Sequence, residues 1–541
     1  MALSYQSDVV IVGGGIAGIT AAIELLNFDK EVLIIDRDTE QNLGGLAKES
    51  FGGMFFVDTP QQRRAGIRDT PELAFRDWCS VAQFDETDVL PKAWAKTYVY
   101  NCTSQVYEWL KSNGVGFFPV VHWVERGLFK PGNSYPRFHM VWGTGSELTN
   151  VLVQKLLNHP KAKSNLKIVF EHKVEVLIEE GGKIIGVTGI DEVSNTVFEA
   201  KAEHTIVAAG GMGGNMERVR KNWYKPWGKP PETILNGAHK YALGDLHDAV
   251  ENKEGVITHL DKNWPYAAGV HHPRPLRQGH GLSLVPPKSA LWLDYTGRRF
   301  GPMPLITAYD TRYCVEQICK QEKKYSWQVL NMKIAYKEFA ISGSESNKAM
   351  REKSWLGFIK TILFGNKELV HDMLDNCEDF VVADTIEELV DKMNAIAGTS
   401  EVKLEHVREA IQNYDAQIDR GKNYFNDEQL RRIAHARRYR GDKVRTSKFQ
   451  KIADPKAGKL MAIREFILSR KTLGGIQTNL DCQVMGTNGK PIEGLFAAGE
   501  VAGFGGGGMH GLGTLEGTFL GGCVLTGRVA AYSIAGKKLI E

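Results

Sequence analysis

The hydrophobic positions begin with a short unbroken run. Asp8–Val12 (DVVIV) is apolar on both faces, the pattern of a buried parallel strand. It stops at Gly13-Gly14-Gly15-Ile16-Ala17-Gly18, and apolar residues then continue to Leu26 as a helix. A second apolar run, Glu31–Ile35, ends at Asp36. The pattern predicts strand, turn, helix and strand. The stretch Val9–Leu26 is apolar enough to imitate a membrane span, but its glycines divide it into strand, turn and buried helix.

Further along, residues 167–200 predict a β-hairpin region, followed by Thr205–Gly211 (TIVAAGG), a strand ending in a glycine turn. The C-terminus repeats the theme: Gly494–Gly499 (GLFAAG), Glu500, a glycine-rich loop to Gly517, and a helix over Thr518–Ala535. Between these ends lie Lys- and Glu-rich segments with few glycines, Thr311–Ser342, Thr385–Ala397 and Val402–Asp419, which predict helices. Trp355–Phe364 (WLGFIKTILF) is apolar on most sides and too short to span a bilayer. The expectation is a helix packed on its neighbours, with an interfacial helix as the alternative.

The first glycines have the spacing GxGxxG. Gly13 permits a tight turn, Gly15 lets a pyrophosphate approach the backbone, and Gly18 lets helix and strand pack closely. Asp36 lies roughly 20 residues on, where a carboxylate accepts from ribose hydroxyls and repels a 2′-phosphate. Three features favour FAD over NAD: the pair Gly44-Gly45 leading to Ser50-Phe51-Gly52-Gly53, the strand and turn at Thr205–Gly211, and the C-terminal strand–loop–helix. The cofactor is expected along Gly13, Gly15, Ile16, Ala17, Gly18, Asp36, Arg37, Gly44, Gly45, Ser50, Gly52 and Gly53. Val174, Ala209, Gly210, Gly499, Glu500, Thr514 and Leu515 complete the expected set. The sequence has neither a second complete strand–GxGxxG–helix unit nor a CxxCH haem motif. Electrons are therefore expected to pass to or from a separate acceptor, a quinone or another protein.

Composition narrows the picture a little. A chain of 541 residues implies two domains or one elaborated domain. A net charge of +3 excludes nucleic acid as an expected partner, and the cluster Arg431–Arg440 (RRIAHARRYR) is expected to be a solvated helix face. Seven scattered cysteines without CxxC spacing predict free thiols, neither a disulfide frame nor a zinc site. Only MALSYQS precedes the first apolar run, so no signal peptide is expected. The expected location is cytoplasmic, with peripheral membrane contact allowed by Trp355–Phe364.

GGGIAG near Gly13, GGLAKESFGG near Gly44, LWLDYTGRRF at 291–300 and GGIQTN…GLFAAGEVAG at 474–503 carry a resemblance over nearly the whole chain. The sequence resembles the fumarate reductase and succinate dehydrogenase flavoprotein superfamily, in particular the branch of FAD-binding dehydrogenases similar to 3-ketosteroid dehydrogenases. The resemblance implies an α/β fold: a split Rossmann-like FAD-binding domain (1–265 and 470–541) with an inserted α+β cap, or substrate, domain (266–469). It implies hydride transfer between flavin and a CH–CH bond beside a carbonyl, with a 3-ketosteroid-like hydrophobic substrate. An ene-reductase of an unsaturated acid, or a flavin-binding redox partner without turnover, are the alternatives. The loop from Gly44 to Gly53 lacks the histidine through which some relatives attach FAD, so the cofactor is expected to be non-covalent.

The resemblance also suggests catalytic residues. Thr307–Tyr313 (TAYDTRY) falls where the reductases carry a proton-donating arginine. Tyr309 suits proton abstraction from a ketosteroid; Arg312 suits reduction of a dicarboxylate. The bland readings are a packed tyrosine and an ion pair of Asp310. His510, in Gly505–Gly511 (GGGGMHG), would donate to a substrate carbonyl, since a histidine in a flexible glycine run has little packing rationale. Gly513-Thr514-Leu515-Glu516 stands where the reductases place another arginine, and no arginine follows before Arg528. Glu516 is a candidate base or a cap of the Thr518 helix. His272, in AAGVHHPRP, is either a substrate ligand or part of a turn fixed by Pro273 and Pro275.

Overall fold

The computed structural model describes residues 3–540 as a mixed α/β protein. The chain divides into two compact units. One holds residues up to Tyr224, Ala238–Trp264 and everything from Arg470; the other holds Lys225–Gly237 and Pro265–Ser469.

The first unit is built on an eight-stranded sheet. Strand Leu3–Val12 lies parallel between Val32–Ile35 and Thr196–Val207. Val9, Val10 and Ile11 are fully buried, which explains their unbroken apolar run. Leu166–Val169 extends the parallel side beyond Val32–Ile35. The hairpin region becomes a three-stranded antiparallel meander, His172–Glu180, Lys183–Asp191 and Thr196–Val207. Strand Pro491–Ala497 returns from the C-terminus and pairs parallel with Thr196–Val207, Leu495 opposite Thr205. Both chain ends thus share one sheet.

Helix Ile16–Asn27 is buried along nearly all its length, as its apolar sequence requires. Its partner is helix Thr518–Ile534, tied to it by the buried pair Arg528 Nε–Glu24 Oε1 at 2.6 Å. Arg528 is thereby committed to structure.

The second unit has a mostly antiparallel sheet in the order Leu291–Leu293, Tyr325–Asn331, Leu460–Thr472, Asn263–His271, Gly281–Val285, Ala340–Ser342. Ile234–Asn236 and Phe380–Ala383 also pair with Leu460–Thr472. Helices Ile386–Ala397 and Leu404–Asp419 fall where expected. Thr311–Ser342 does not form one helical segment. It contains helix Thr311–Cys319, strand Tyr325–Asn331, helix Met332–Glu338 and strand Ala340–Ser342. The strand is buried from Ser326 to Asn331, and pairing on both edges overrides the surrounding helix-forming lysines and glutamates.

Two further expectations are refined. Trp355–Phe364 is a helix that packs on its neighbours only through a half-buried side, Gly357, Phe358, Thr361 and Ile362, with no residue fully buried. Helix Glu428–Ala436 overlaps the basic cluster; Leu430 and Ile433 turn inward and Arg431 and His435 outward, so the arginines line a solvated face. Among the described residues, no helix is long and apolar enough to cross a membrane. All seven cysteines are free thiols.

Candidate functional site

The first glycine loop is shaped by contacts that leave no room for side chains. Gly13 has φ +108°, and a Cβ on Gly18 would run into the Gly13 carbonyl oxygen. Gly15 differs: a Cβ there meets nothing within 4 Å, so its backbone faces open space. It is the N-cap of Ile16–Asn27, and no side chain caps that helix end. An uncapped, positively polarised N-terminus beside open backbone suits a pyrophosphate.

Asp36 closes the turn. Its Oδ2 accepts from the Gly14 N–H at 2.6 Å and its Oδ1 from the Asp38 N–H at 2.7 Å. Burial pushes the carboxyl upward while these two N–H donors pull it down. Arg37 turns outward into a bidentate pair with Glu192 and lies over Tyr241. Gly44 and Gly15 form a parallel bridge, which brings the second glycine pair to the first loop. Gly45 follows at φ +62°. Ser50, Gly52 and Gly53 lead into strand Gly53–Phe55; the Ser50 carbonyl accepts from the Gly145 N–H at the start of helix Thr144–Leu157. The Val174 side chain belongs to the sheet's apolar core. Ala209 packs against that core, and Gly210 faces open space.

The C-terminal loop reaches the same first helix. A Cβ on Gly499 would meet Ala17 Cβ, and the Gly499 N–H donates to Thr526 Oγ1 at 2.9 Å. Glu500 Oε1 accepts from the Thr472 N–H at 3.0 Å, and burial raises its carboxyl pKa. Helix Thr518–Ile534 starts at Gly517, again without a side-chain cap. Glu516 therefore does not cap it; its Oε1 accepts from Trp264 Nε1 at 2.7 Å.

His510 corrects the expectation of a flexible glycine run. It is fully buried, stacked on Trp78 at 5.4 Å and enclosed by Phe504 and Phe519. Packing alone would justify an aromatic ring here. Burial, with the nearby Lys471 ammonium, lowers its pKa to about 3, so the ring is neutral. Nε2 meets Thr518 Oγ1 at 2.7 Å, and Thr514 Oγ1 lies 2.8 Å from that hydroxyl. Nδ1 is buried without a hydrogen-bond partner among the described residues. Leu515 is fully buried, and its carbonyl lies 3.2 Å from the Thr514 hydroxyl and 3.0 Å from the Thr518 hydroxyl.

Lys471 was not singled out by sequence. It is half-buried, with Nζ 4.1 Å from the centroid of the Phe519 ring. Burial lowers its pKa to about 8 against the pull of Glu516 and Glu500, and Arg470 adds to the lowering. Its available signal was adjacency to Gly474-Gly475; nothing in local composition marks one desolvated lysine among many. Thr472 was missed as well: its hydroxyl accepts from the Met212 N–H at 3.0 Å, joining the Thr205–Gly211 turn to Glu500.

The other three candidates belong to the second unit, each with its own neighbours. Tyr309 is buried; its hydroxyl donates to the Arg432 carbonyl at 2.9 Å and lies 3.2 Å from His435 Nδ1. The Arg432 guanidinium covers its ring at 4.7 Å. Arg312 lies over the Trp227 ring at 4.7 Å. Asp310 caps helix Thr311–Cys319 by accepting from the Tyr313 N–H. His272 stacks on His280 at 4.3 Å, accepts from the Arg274 N–H through Nδ1, and meets Glu345 through Nε2 at 3.3 Å. Its neighbour His271 forms, with Glu378 and Asp379, a group of metal-ligand type, but Asp379 is already paired with Arg464.

Known proteins match this chain along nearly its whole length. The family model described as "FAD binding domain" matches residues 8–520. A KsdD-like steroid dehydrogenase of Mycobacterium tuberculosis is 40% identical, over 98% of this chain and 96% of its own. A fumarate reductase (cytochrome) of Shewanella frigidimarina is 25% identical, over 98% of this chain and 77% of the relative. Among solved structures, the 3-ketosteroid delta1-dehydrogenase of Sterolibacterium denitrificans in complex with 1,4-androstadiene-3,17-dione shares the fold. Its TM-score is 0.71 at 15% identity, over 98% of this chain and 99% of that one. With its glycine loops, uncapped helix ends and these matches, the chain belongs to the FAD-binding family of flavoprotein oxidoreductases, and its cofactor is FAD.

Proposed function

We propose that this protein is an FAD-dependent dehydrogenase acting on the CH–CH bond beside the ketone of a 3-ketosteroid-like substrate. The observation that carries the reading is the 40% identity to the KsdD-like steroid dehydrogenase over nearly the full length of both chains. The fumarate reductase match, at 25%, is far weaker.

The FAD domain comprises residues 1–265 and 470–541, with 266–469 as the inserted cap; FAD is bound non-covalently. The Ile16–Asn27 N-terminus and Gly15 take the pyrophosphate, and Asp36 takes the ribose. Bound FAD supplies a hydride acceptor. The chain must supply proton transfer and a donor to the ketone. Tyr309 removes the proton from the carbon beside the ketone, with His435 Nδ1 poised to accept its phenolic hydrogen. His510, neutral and buried, presents Nδ1–H to the substrate carbonyl while the Thr518 hydroxyl turns its single hydrogen to Nε2 rather than to the Leu515 carbonyl. A charged histidine would be costly in this aromatic enclosure; a neutral donor is not. A separate quinone or protein takes the electrons onward, on the cytoplasmic side.

The test is anaerobic mixing of the purified flavoprotein with a panel of 3-ketosteroids. Bleaching of the oxidised flavin band, with formation of a dehydrogenated product, is expected. An unchanged spectrum across the panel overturns the reading. Reoxidation of the reduced protein by fumarate, abolished by Arg312→Ala, would replace it with an ene-reductase.

A further inference from the structure

The helix Trp355–Phe364 has no part in the chemistry above, yet it is the most unusual surface of the second unit. Its outward face carries Trp355, Leu356, Ile359, Leu363 and Phe364, with Leu356 84% and both Leu363 and Phe364 69% exposed. These positions recur one and four residues apart, so they form one continuous stripe. Contiguous exposed apolar area of this kind marks an interaction site.

The helix is held firmly in this pose. Ser354 caps its start by accepting from the Gly357 N–H at 3.1 Å. At its end, the Asn366 N–H donates to the Tyr336 carbonyl at 2.8 Å, and Gly365 fits against Tyr336 with φ +80°. Phe358 and Ile362 are only half-buried on the inner side. The stripe is therefore displayed by the fold.

Charge identifies the occupant. The segment carries Lys353, Lys360 and Lys367, with Glu352 and Glu368 only at its outer ends, so the helix itself bears a cation and no carboxylate. Lys360 lies in the middle of the exposed face, where its aliphatic stem can follow the apolar surface and its ammonium can reach headgroups. Lys348 and Arg351 lie just before it, Arg351 paired with Glu352 at 3.6 Å. At about 15 Å the helix is too short to cross a bilayer, but it suffices to lie in the interface.

We propose that Trp355–Phe364 docks this protein peripherally on an anionic lipid surface, its apolar stripe entering the acyl boundary and its lysines engaging lipid phosphates. The proposal is independent of which substrate the flavin site takes.

Flotation of the flavin-loaded protein tests it, with vesicles of phosphatidylcholine alone or mixed equally with phosphatidylglycerol. The wild type is expected to float with the mixed vesicles, more weakly with phosphatidylcholine, and less in high salt. L356E/L363E is expected to bind at least about tenfold more weakly, with its flavin spectrum unchanged. K360E is expected to lose the preference for phosphatidylglycerol while retaining its fold. The proposal is overturned if the wild type stays in the lipid-free fraction, or if L356E/L363E floats as the wild type does. It is also overturned if, without lipid, the wild type sediments as an oligomer that L356E/L363E dissociates, since a second copy would then cover the face.

Discussion

Loops 307–313 and 505–511 each carry a candidate catalytic side chain, and each buries it almost completely, but they leave it in opposite states. The Tyr309 hydroxyl is occupied by the Arg432 carbonyl and His435. His510 keeps one ring nitrogen without a partner. A buried polar atom left unpaired costs stability unless a ligand completes it. His510 is thus prepared to receive a hydrogen-bonding group directly. Tyr309 must exchange a partner first, and its contact with His435 offers a place for the proton it would release. Burial alone did not separate the two; the count of satisfied valences did.

Substitution at each loop can break this contrast. The largest effect is expected for Tyr309→Phe, which removes the proposed base: kcat should fall by about 10²–10⁴-fold with the flavin retained. If Tyr309 only packs, the change should instead cost roughly 1 kcal/mol of stability, visible in urea unfolding, with kcat near wild type. His510→Ala should lower kcat/KM by about 10²–10³-fold, the loss typical of one donor to a developing oxyanion. A larger loss at His510 than at Tyr309 would reverse the ranking and make carbonyl polarisation the dominant contribution.

The smallest effect concerns Lys471, beside His510. Its pKa is about 8 in the folded protein, against roughly 10.4 for an unfolded lysine. Between these values the unfolded chain binds more protons, so stability should rise with pH across that window. The partly desolvated ammonium weighs against the fold below it, and the full rise is at most on the order of 3 kcal/mol. Lys471→Met should flatten this slope in urea unfolding series between pH 7 and 10.5. An unchanged slope would show that Lys471 does not titrate there.

Legibility followed the kind of chemistry each residue performs. The Gly13–Gly18 loop, Asp36 and the strands around them were readable because backbone geometry constrains residue type at every position. The strand Tyr325–Asn331 was not, because its conformation is imposed by pairing with Leu291–Leu293 and Leu460–Thr472 rather than by its own neighbours in sequence. His510 was found for a reason the fold corrects: its glycines do not leave it loose but bring Trp78, Phe504 and Phe519 around it. Lys471 was illegible, since its partial desolvation is a property of the folded chain.

By itself, then, the sequence determined a dinucleotide cofactor and a parallel strand–helix–strand unit, because glycine spacing and unbroken apolar runs act locally. Tertiary structure alone decided the rest. It joined Pro491–Ala497 to the N-terminal sheet and gave Arg528 to Glu24. It left one nitrogen of His510 open and turned Trp355–Phe364 outward. Each of these depends on what long-range packing buries or exposes, which no local pattern encodes.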